Sequence, residues 1–316
     1  MVEETVLVTG GCGFVGHRMV ASLKADGHSV RVLDIPRAEF ACVEDLGAKV
    51  LEGSVVDGES VRVALGNSRV VHHMAAPDIT IRDDRFIRKM VVAGAEVLME
   101  EAEDSMVEHV VAASTTGVYA RTQGIHGEDA PLRPGNRLER AKHDMERALE
   151  KGARSTGIGV TVLRLANVYG AGDGGIIDRL VPEVIYEGAV ILPEMGWVNC
   201  IHVEDVVDAA RRLAAEARAM DRDDEGVFRV LNCVDDRAHS PRELVDAIAE
   251  VTGASSPELR RPGLVGTSKG RWADRKDCVR LVERGRYSNA TTKGILAGWP
   301  RWPGVEDGLS DELENG

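Results

Sequence analysis

Gly10, Gly13 and Gly16 stand three residues apart in Thr9-Gly10-Gly11-Cys12-Gly13-Phe14-Val15-Gly16, a spacing that suits one kind of chemistry. Without side chains the backbone turns tightly and comes close to a pyrophosphate, while a following helix presents its N-terminal amides and positive dipole end to the anion. Phe14 and Val15, inside the same run, would add their own amides to that contact. Asp34, with Ile35 after it, ends the next apolar run. There its carboxylate would accept ribose hydroxyls and repel a 2′-phosphate, which favours NAD over NADP. Arg37, three residues on, argues the other way. Gly53-Ser54-Val55-Val56-Asp57 follows the third apolar run, where Val55 and Asp57 would meet an adenine. The plainer alternatives are that Asp34 caps a strand-to-loop turn and that Asp57 is a surface turn acid.

These groups need a strand before the glycines, a helix after them and a second strand ending at Asp34. Residues 5–8 read as that strand, and 14–26 as a helix with Val15, Met19, Val20 and Leu23 at helical spacing. Further strands are expected at 29–33, 49–51, 70–73 and 109–112, with helices at 59–65 and 89–103. A helix at 138–154 leads into a buried strand at 159–165. Such alternation implies right-handed crossovers and a parallel sheet with helices on both faces. After Gly170 the pattern loosens into Gly- and Pro-rich turns, then gives helices at 205–219 and 241–252 and a polar, Arg-rich stretch at 255–285. The expected fold is α/β, a Rossmann-type doubly wound parallel sheet with a smaller C-terminal substrate-binding lobe. Residues 1–170, with a returning segment at about 201–235, would form the NAD-binding domain. Residues 171–200 and 236–316 would form the lobe.

At 316 residues, 43% hydrophobic and 29% charged, the chain has the make-up of a globular protein with one large domain or two interlocked ones. A net charge of −13 argues against a nucleic-acid surface, which needs clustered Lys and Arg, but not against an anionic small ligand. Cys12, Cys42, Cys200, Cys233 and Cys278 are scattered, odd in number and without C-x-x-C spacing. That pattern fits a reducing cytoplasm better than a disulfide framework. Met1 runs into the first strand with no leader-like segment, and no apolar run is long enough to cross a bilayer, so a cytoplasmic protein without metal is expected.

Five further segments recur in a recognisable order. His73-Met74-Ala75-Ala76 closes the fourth strand, and Ala113-Ser114-Thr115-Thr116-Gly117-Val118-Tyr119 the fifth. Arg164-Leu165-Ala166-Asn167-Val168-Tyr169-Gly170, Ile201-His202-Val203-Glu204-Asp205-Val206, and Lys293 ahead of Leu296-Ala297-Gly298-Trp299-Pro300 follow. Together with the glycine motif they resemble the extended short-chain dehydrogenases/reductases, the NAD-dependent epimerase/dehydratase group, over nearly the full length. The resemblance implies NAD lined by Ala75 and Ala76, a substrate oxygen oriented by Thr115 or else Thr116, and a cofactor ribose held by Lys142. It implies substrate contacts from Asn167 and from Arg280 or Arg284, and a homodimer built on helices 89–103 and 138–154. The substrate class would be a sugar-like hydroxyl, such as that of a nucleotide sugar.

Three positions depart from the family pattern. Leu138, four residues before Lys142, stands where a Tyr exchanges the proton as hydride moves. Val198 replaces an Arg that sugar-nucleotide enzymes set against the diphosphate, and Val91 replaces an Asn of the fourth helix. Glu139 shares a helix face with Lys142 and is a candidate stand-in for the tyrosine, the alternative being an exposed carboxylate paired to a base. His126 could swing over the site from its loop; Tyr119 is expected to pack, and His143 points away from Lys142. His72 and His73 face opposite ways on a strand, which makes them buried strand-end residues rather than a metal pair. Three functions remain open: an epimerase or dehydratase with non-standard acid-base residues, a dehydrogenase or reductase of a non-nucleotide substrate, and a non-catalytic NAD-binding protein.

Overall fold

A computed structural model describes residues 4–36, 38–77, 81, 83–172, 176–219, 227–261 and 281–315. Arg37, Cys278 and Arg280 lie outside the described residues. The chain forms two compact units: Met1–Val118 with Leu132–Arg164 and Val207–Leu231, and Tyr119–Pro131 with Leu165–Val206 and Asn232–Gly316.

In chain order the elements are β1 (Thr5–Thr9), α1 (Phe14–Ala25), β2 (Ser29–Asp34), α2 (Ala41–Glu44), β3 (Lys49–Glu52), α3 (Gly58–Leu65), β4 (Val70–His73), α4 (Asp84–Arg88), α5 (Gly94–Glu103) and β5 (His109–Thr115). Then come β6 (Gly124–His126), α6 (Arg137–Thr156), β7 (Gly159–Leu165), β8 (Asn167–Tyr169), α7 (Ile176–Tyr186), β9 (Ala189–Ile191), β10 (Cys200–His202) and α8 (Val203–Ala219). The last are β11 (Phe228–Cys233), α9 (Pro241–Thr252), β12 (Glu258–Arg260), β13 (Gly285–Tyr287), α10 (Ala290–Ile295) and α11 (Val305–Asn315).

The central sheet has seven strands in the order β11-β7-β5-β4-β1-β2-β3. β1 pairs in parallel with both β2 and β4, so the order reverses between β1 and β4. In doubly wound sheets that reversal opens a crevice at the strand C-termini. One core joins Leu7, Val71, Val110 and Val162 of the strands to Leu98 of α5 and Met145 and Leu149 of α6. Each such side chain contributes about 1.5–3 kcal/mol by leaving water. On α1, Met19, Val20 and Leu23 are buried outside that cluster, and α8 is tied to α1 by Arg211, which bonds Ser22 Oγ at 2.6 Å and pairs with Asp26.

The second unit is built from short parallel pairs, β6 with β13, β8 with β10 and β9 with β12. The β6–β13 pairing explains why residues 119–131 belong to this unit although they lie early in the chain. Its core gathers Tyr169, Val190, Val198, Leu244, Ile248 and Val305.

Some elements differ from the expected ones. The helix expected at 89–103 begins at Asp84, where Asp83 accepts the amides of Arg85 and Phe86, and passes through a π turn over Lys89–Ala93. β11 has no counterpart in the sequence reading, because as a sheet-edge strand its first half is only partly buried and lacks alternation. α7 lay hidden among residues read as turns, since it carries Pro182 inside it. Among the described residues, no helix is long and apolar enough to cross a membrane.

Candidate functional site

The glycine turn sits at the reversal of the sheet. Gly10 has a φ of +71°, and a Cβ on it would lie 2.7 Å from the Ala75 Cα. A Cβ on Gly16 would lie 2.0 Å from the Gly10 oxygen, so neither position admits a side chain. Gly13 caps α1 with extended backbone and no side-chain bond, so the first-turn amides, among them those of Phe14, Val15 and Gly16, open outward. These observations fit a dinucleotide: a cradle that a Cβ would fill, closed by Ala75 and followed by uncapped helix amides. Ala76 is exposed one residue further on.

Asp34 ends β2 with Oδ2 accepting the Cys12 amide at 2.9 Å and Oδ1 accepting its neighbour Ile35's amide at 2.8 Å. The carboxylate is thereby fixed against the glycine turn. Burial, with the Asp34 charge second, pushes the Cys12 thiol up to about 12, so no thiolate arises there. Ile35 is exposed beside Asp34, an apolar surface available to a flat ring. Asp57 caps α3, taking the Ser60 amide at 3.0 Å and the Ser60 hydroxyl at 2.5 Å on Oδ2, while Val55 is buried under Gly94.

A second cluster forms where β1, β4 and β5 end. Thr9 Oγ1 and His73 Nδ1 are 2.8 Å apart, and burial followed by the Lys142 charge pushes His73 down to about 3, holding it neutral. Lys142 is 5% exposed; its Nζ donates to the Ala113 carbonyl at 2.6 Å and lies 3.9 Å from Met145 Sδ. Two residues beyond Ala113, the Thr115 hydroxyl accepts the Gly117 amide at 3.1 Å and keeps its own proton to donate. Thr116 is buried in the short 3-10 turn that follows.

Leu138, one helical turn before Lys142, packs against the main core. Glu139 is not placed to replace a phenol. Its Oε2 accepts the amides of Gly135 and Asn136 at 2.6 and 2.9 Å, its Oε1 accepts Asn136 Nδ2 at 2.5 Å, and Asn136 Oδ1 accepts the Glu139 amide at 2.9 Å. This reciprocal capping box commits both carboxylate oxygens to the start of α6. The sequence reading missed Glu146. One turn beyond Lys142, it accepts Arg164 Nε at 3.1 Å and Nη2 at 2.7 Å, and the Ser114 hydroxyl at 2.5 Å. Its signal was available: an Arg in the wholly buried strand β7 demands an acidic partner.

In the second unit Asn167 donates Nδ2 to the Asn199 carbonyl at 2.8 Å. Tyr119 donates to Asn232 Oδ1 at 2.7 Å and stacks on Tyr287 at 5.2 Å, so it packs. His126 does not swing: it is buried, bonded to the Thr122 carbonyl at 3.1 Å and tilted against Tyr287. Val198 is fully buried in the core of this unit, and Val91 is buried in the main core. Two of the late sequence segments meet in one contact. Asp205 accepts the amides of Arg301 at 2.8 Å and Trp302 at 3.1 Å, and its carbonyl accepts Trp299 Nε1 at 2.9 Å.

The sequence model of the NAD dependent epimerase/dehydratase family matches residues 6–229. The chain belongs to this family. The family is NAD dependent, and the glycine turn, which leaves no room for a Cβ, fits a dinucleotide. A UDP-glucose 4-epimerase of Lactobacillus helveticus is 27% identical, covering 81% of this chain and 84% of its own length. A 3-diazoavenalumate denitrifying reductase of a Streptomyces species is 29% identical over 97% of this chain and 99% of its own. Among solved structures, MoeE5 in complex with UDP-glucuronic acid and NAD superposes with a TM-score of 0.78 at 27% identity, covering 98% of each chain.

Proposed function

We propose that this family member acts on a sugar-like hydroxyl carried on a nucleotide, through transient oxidation of the carbinol with NAD. What supports the reading is that the glycine turn, Ala75 and Thr115 lie at the ends of the neighbouring strands β1, β4 and β5, with Lys142 of α6 bonded to the Ala113 carbonyl of β5. When bound, NAD supplies the hydride acceptor. Gly10, Gly13 and Gly16 with the α1 amides would take its pyrophosphate, Asp34 its adenosine ribose, and Ile35, Val55 and Asp57 its adenine. Lys142 would take the other ribose, with Ala75 and Ala76 along the cofactor's side. Thr115 would orient the substrate oxygen, Thr116 lying behind it, and Asn167 would contact the substrate. The first unit is then the cofactor domain and the second the substrate domain of a cytoplasmic homodimer, with α5 and α6 at the dimer face.

A second reading, reduction of a non-nucleotide substrate, is favoured by Val198. Its side chain lies in the apolar core, so that position offers no cation to a diphosphate. The Streptomyces reductase, similar over nearly the full length, supports the same reading.

The test is to denature the purified protein, identify any released cofactor by mass spectrometry, and titrate the ligand-free chain with NAD and NADP. NAD held tightly and retained through purification, with UDP-glucose perturbing its spectrum, is expected for the nucleotide-sugar reading. Freely exchanging NAD without a UDP-glucose response would move weight to the reductase reading. Binding of neither cofactor would overturn both.

A further inference from the structure

We propose that Lys142 itself exchanges the proton with the substrate hydroxyl, taking the part that a phenol at position 138 plays elsewhere in the family. This rests on the NAD-dependent reading above and adds to it the identity of the proton carrier.

Among the described residues, the other candidate groups are already engaged. Leu138 packs on the core, and Glu139 is closed into the cap of α6. Tyr119 stacks on Tyr287, and His126 lies tilted against it, in the second unit. Lys142 differs from an ordinary buried lysine in having no carboxylate of its own. Glu146, one helical turn on, has its oxygens taken by the Arg164 guanidinium and the Ser114 hydroxyl. What touches Nζ is one carbonyl and one thioether. An ammonium this poorly solvated is costly to keep charged. Burial accordingly lowers Lys142 from 10.5 to about 8, with the Glu146 charge acting the other way.

Among the described residues, the charged and titratable groups around Nζ are Glu146 on its own helix, Arg164 of β7 behind Glu146, and the neutral His73 of β4. None of them clamps the lysine in its charged form. A proton carrier works best when its pKa lies near the operating pH. Position agrees with this role: Nζ is held on the Ala113 carbonyl, and the Thr115 hydroxyl stands two residues along the same strand end. In the oxidising direction the substrate O–H bond breaks and its proton goes to the lone pair of the neutral Nζ amine. Bound NAD would supply the acceptor for the carbinol hydrogen as hydride, so that the C=O bond can form. In the reverse direction the ammonium returns the proton.

The deciding variant is Lys142→Arg, which keeps a permanent cation with donors for a ribose but cannot release a proton. With UDP-glucose as probe, kcat is expected to fall by about 10²–10⁴ with little change in KM. NAD affinity should stay within a few-fold of wild type. Wild-type kcat in Lys142→Arg would overturn the proposal and leave Lys142 as a ribose holder only. A measurement that needs no turnover stands beside it. In ¹³C-lysine-labelled, NAD-loaded wild type, the Lys142 signal, assigned by its loss in the variant, should titrate near 8. A midpoint at or above the ordinary 10.5 would overturn the proposal whatever UDP-glucose does. Failure of the wild type to bind NAD would instead sink the underlying reading, and the lysine titration could still be followed on the ligand-free chain.

Discussion

Asp34 holds two tasks in one carboxylate: it ties down the Cys12 amide of the glycine turn, and it remains the charge that a 2′-phosphate would have to approach. Asp34→Asn keeps the shape and removes the charge. NAD affinity is expected to drop by about tenfold, or roughly 1.4 kcal/mol, while NADP loses less or gains. Calorimetric titration of both cofactors checks this, and an unchanged NAD-to-NADP ratio would show that Asp34 does not set the preference. The tight turn at Gly10 and Gly16 is legible in the sequence because a Cβ at either position would meet backbone atoms. Glu146 was not, because its partners Ser114 and Arg164 are 32 and 18 residues away. Glu139 was misread for a different reason. Spacing along a helix shows which face a residue shares, but near the first turn the orphan amides draw an acid back onto the backbone. Asn136-x-x-Glu139 is the capping-box pattern and would have identified it.

The cap makes α6 a rigid carrier for Lys142, with Asn136 and Glu139 at its start and Gly157 in left-handed conformation at its end. Glu139→Ala should therefore act on the helix and not on the chemistry. The expected cost is about 1 kcal/mol of stability, seen as a lowered thermal midpoint, with NAD affinity retained and kcat within a few-fold. A drop in kcat of a hundredfold at unchanged stability would return Glu139 to the acid-base role. The strand–helix alternation through β5 was readable because β1, β4 and β5 are buried along most of their length and helices of clear period stand between the strands. Reading failed where an element is short, lies at an edge or carries a breaker, as β11 and α7 do. The late segments around Asp205 and Trp299 were noticed only as motifs. Their meaning, a buried carboxylate gripping two amides nearly a hundred residues on, is a contact and has no local signature.

The first unit is not a continuous stretch of chain. It takes back residues 207–231, and Arg218 of α8 bonds Glu4 and Glu108 there, the latter at 2.8 Å. A fragment 1–170 would lose α8 and β11 and expose the apolar side of α1, so it is expected to show no cooperative melt by circular dichroism. A sharp transition in that fragment would contradict this dependence. The pH dependence of the ligand-free chain draws on three buried groups and on Glu183, which burial raises from 4.5 to about 7. His72 and His73 are pushed by burial from 6.5 to about 3, so only the unfolded chain takes up their protons as pH falls through 6.5. Stability is then lost on acidification, by up to about 1.4 kcal/mol per pH unit for each histidine. Asp235 acts in the opposite sense. Burial, and then the Asp205 carboxylate, raise it well above 3.8, outweighing the His202 amide. The native state therefore keeps a proton that the unfolded chain releases, and stability falls as pH rises from the unfolded value until the native carboxyl ionises. Below about pH 6.5 the two histidines drive stability up with pH, and Asp235 and Glu183 oppose them. Of these groups only the raised carboxyls act above 6.5, until each ionises in the native state. Urea unfolding across this range should show Asp235→Asn gaining stability over the wild type as pH rises from about 4, until the native Asp235 carboxyl ionises. A difference between variant and wild type that stays constant with pH would show that Asp235 keeps no extra proton in the native state.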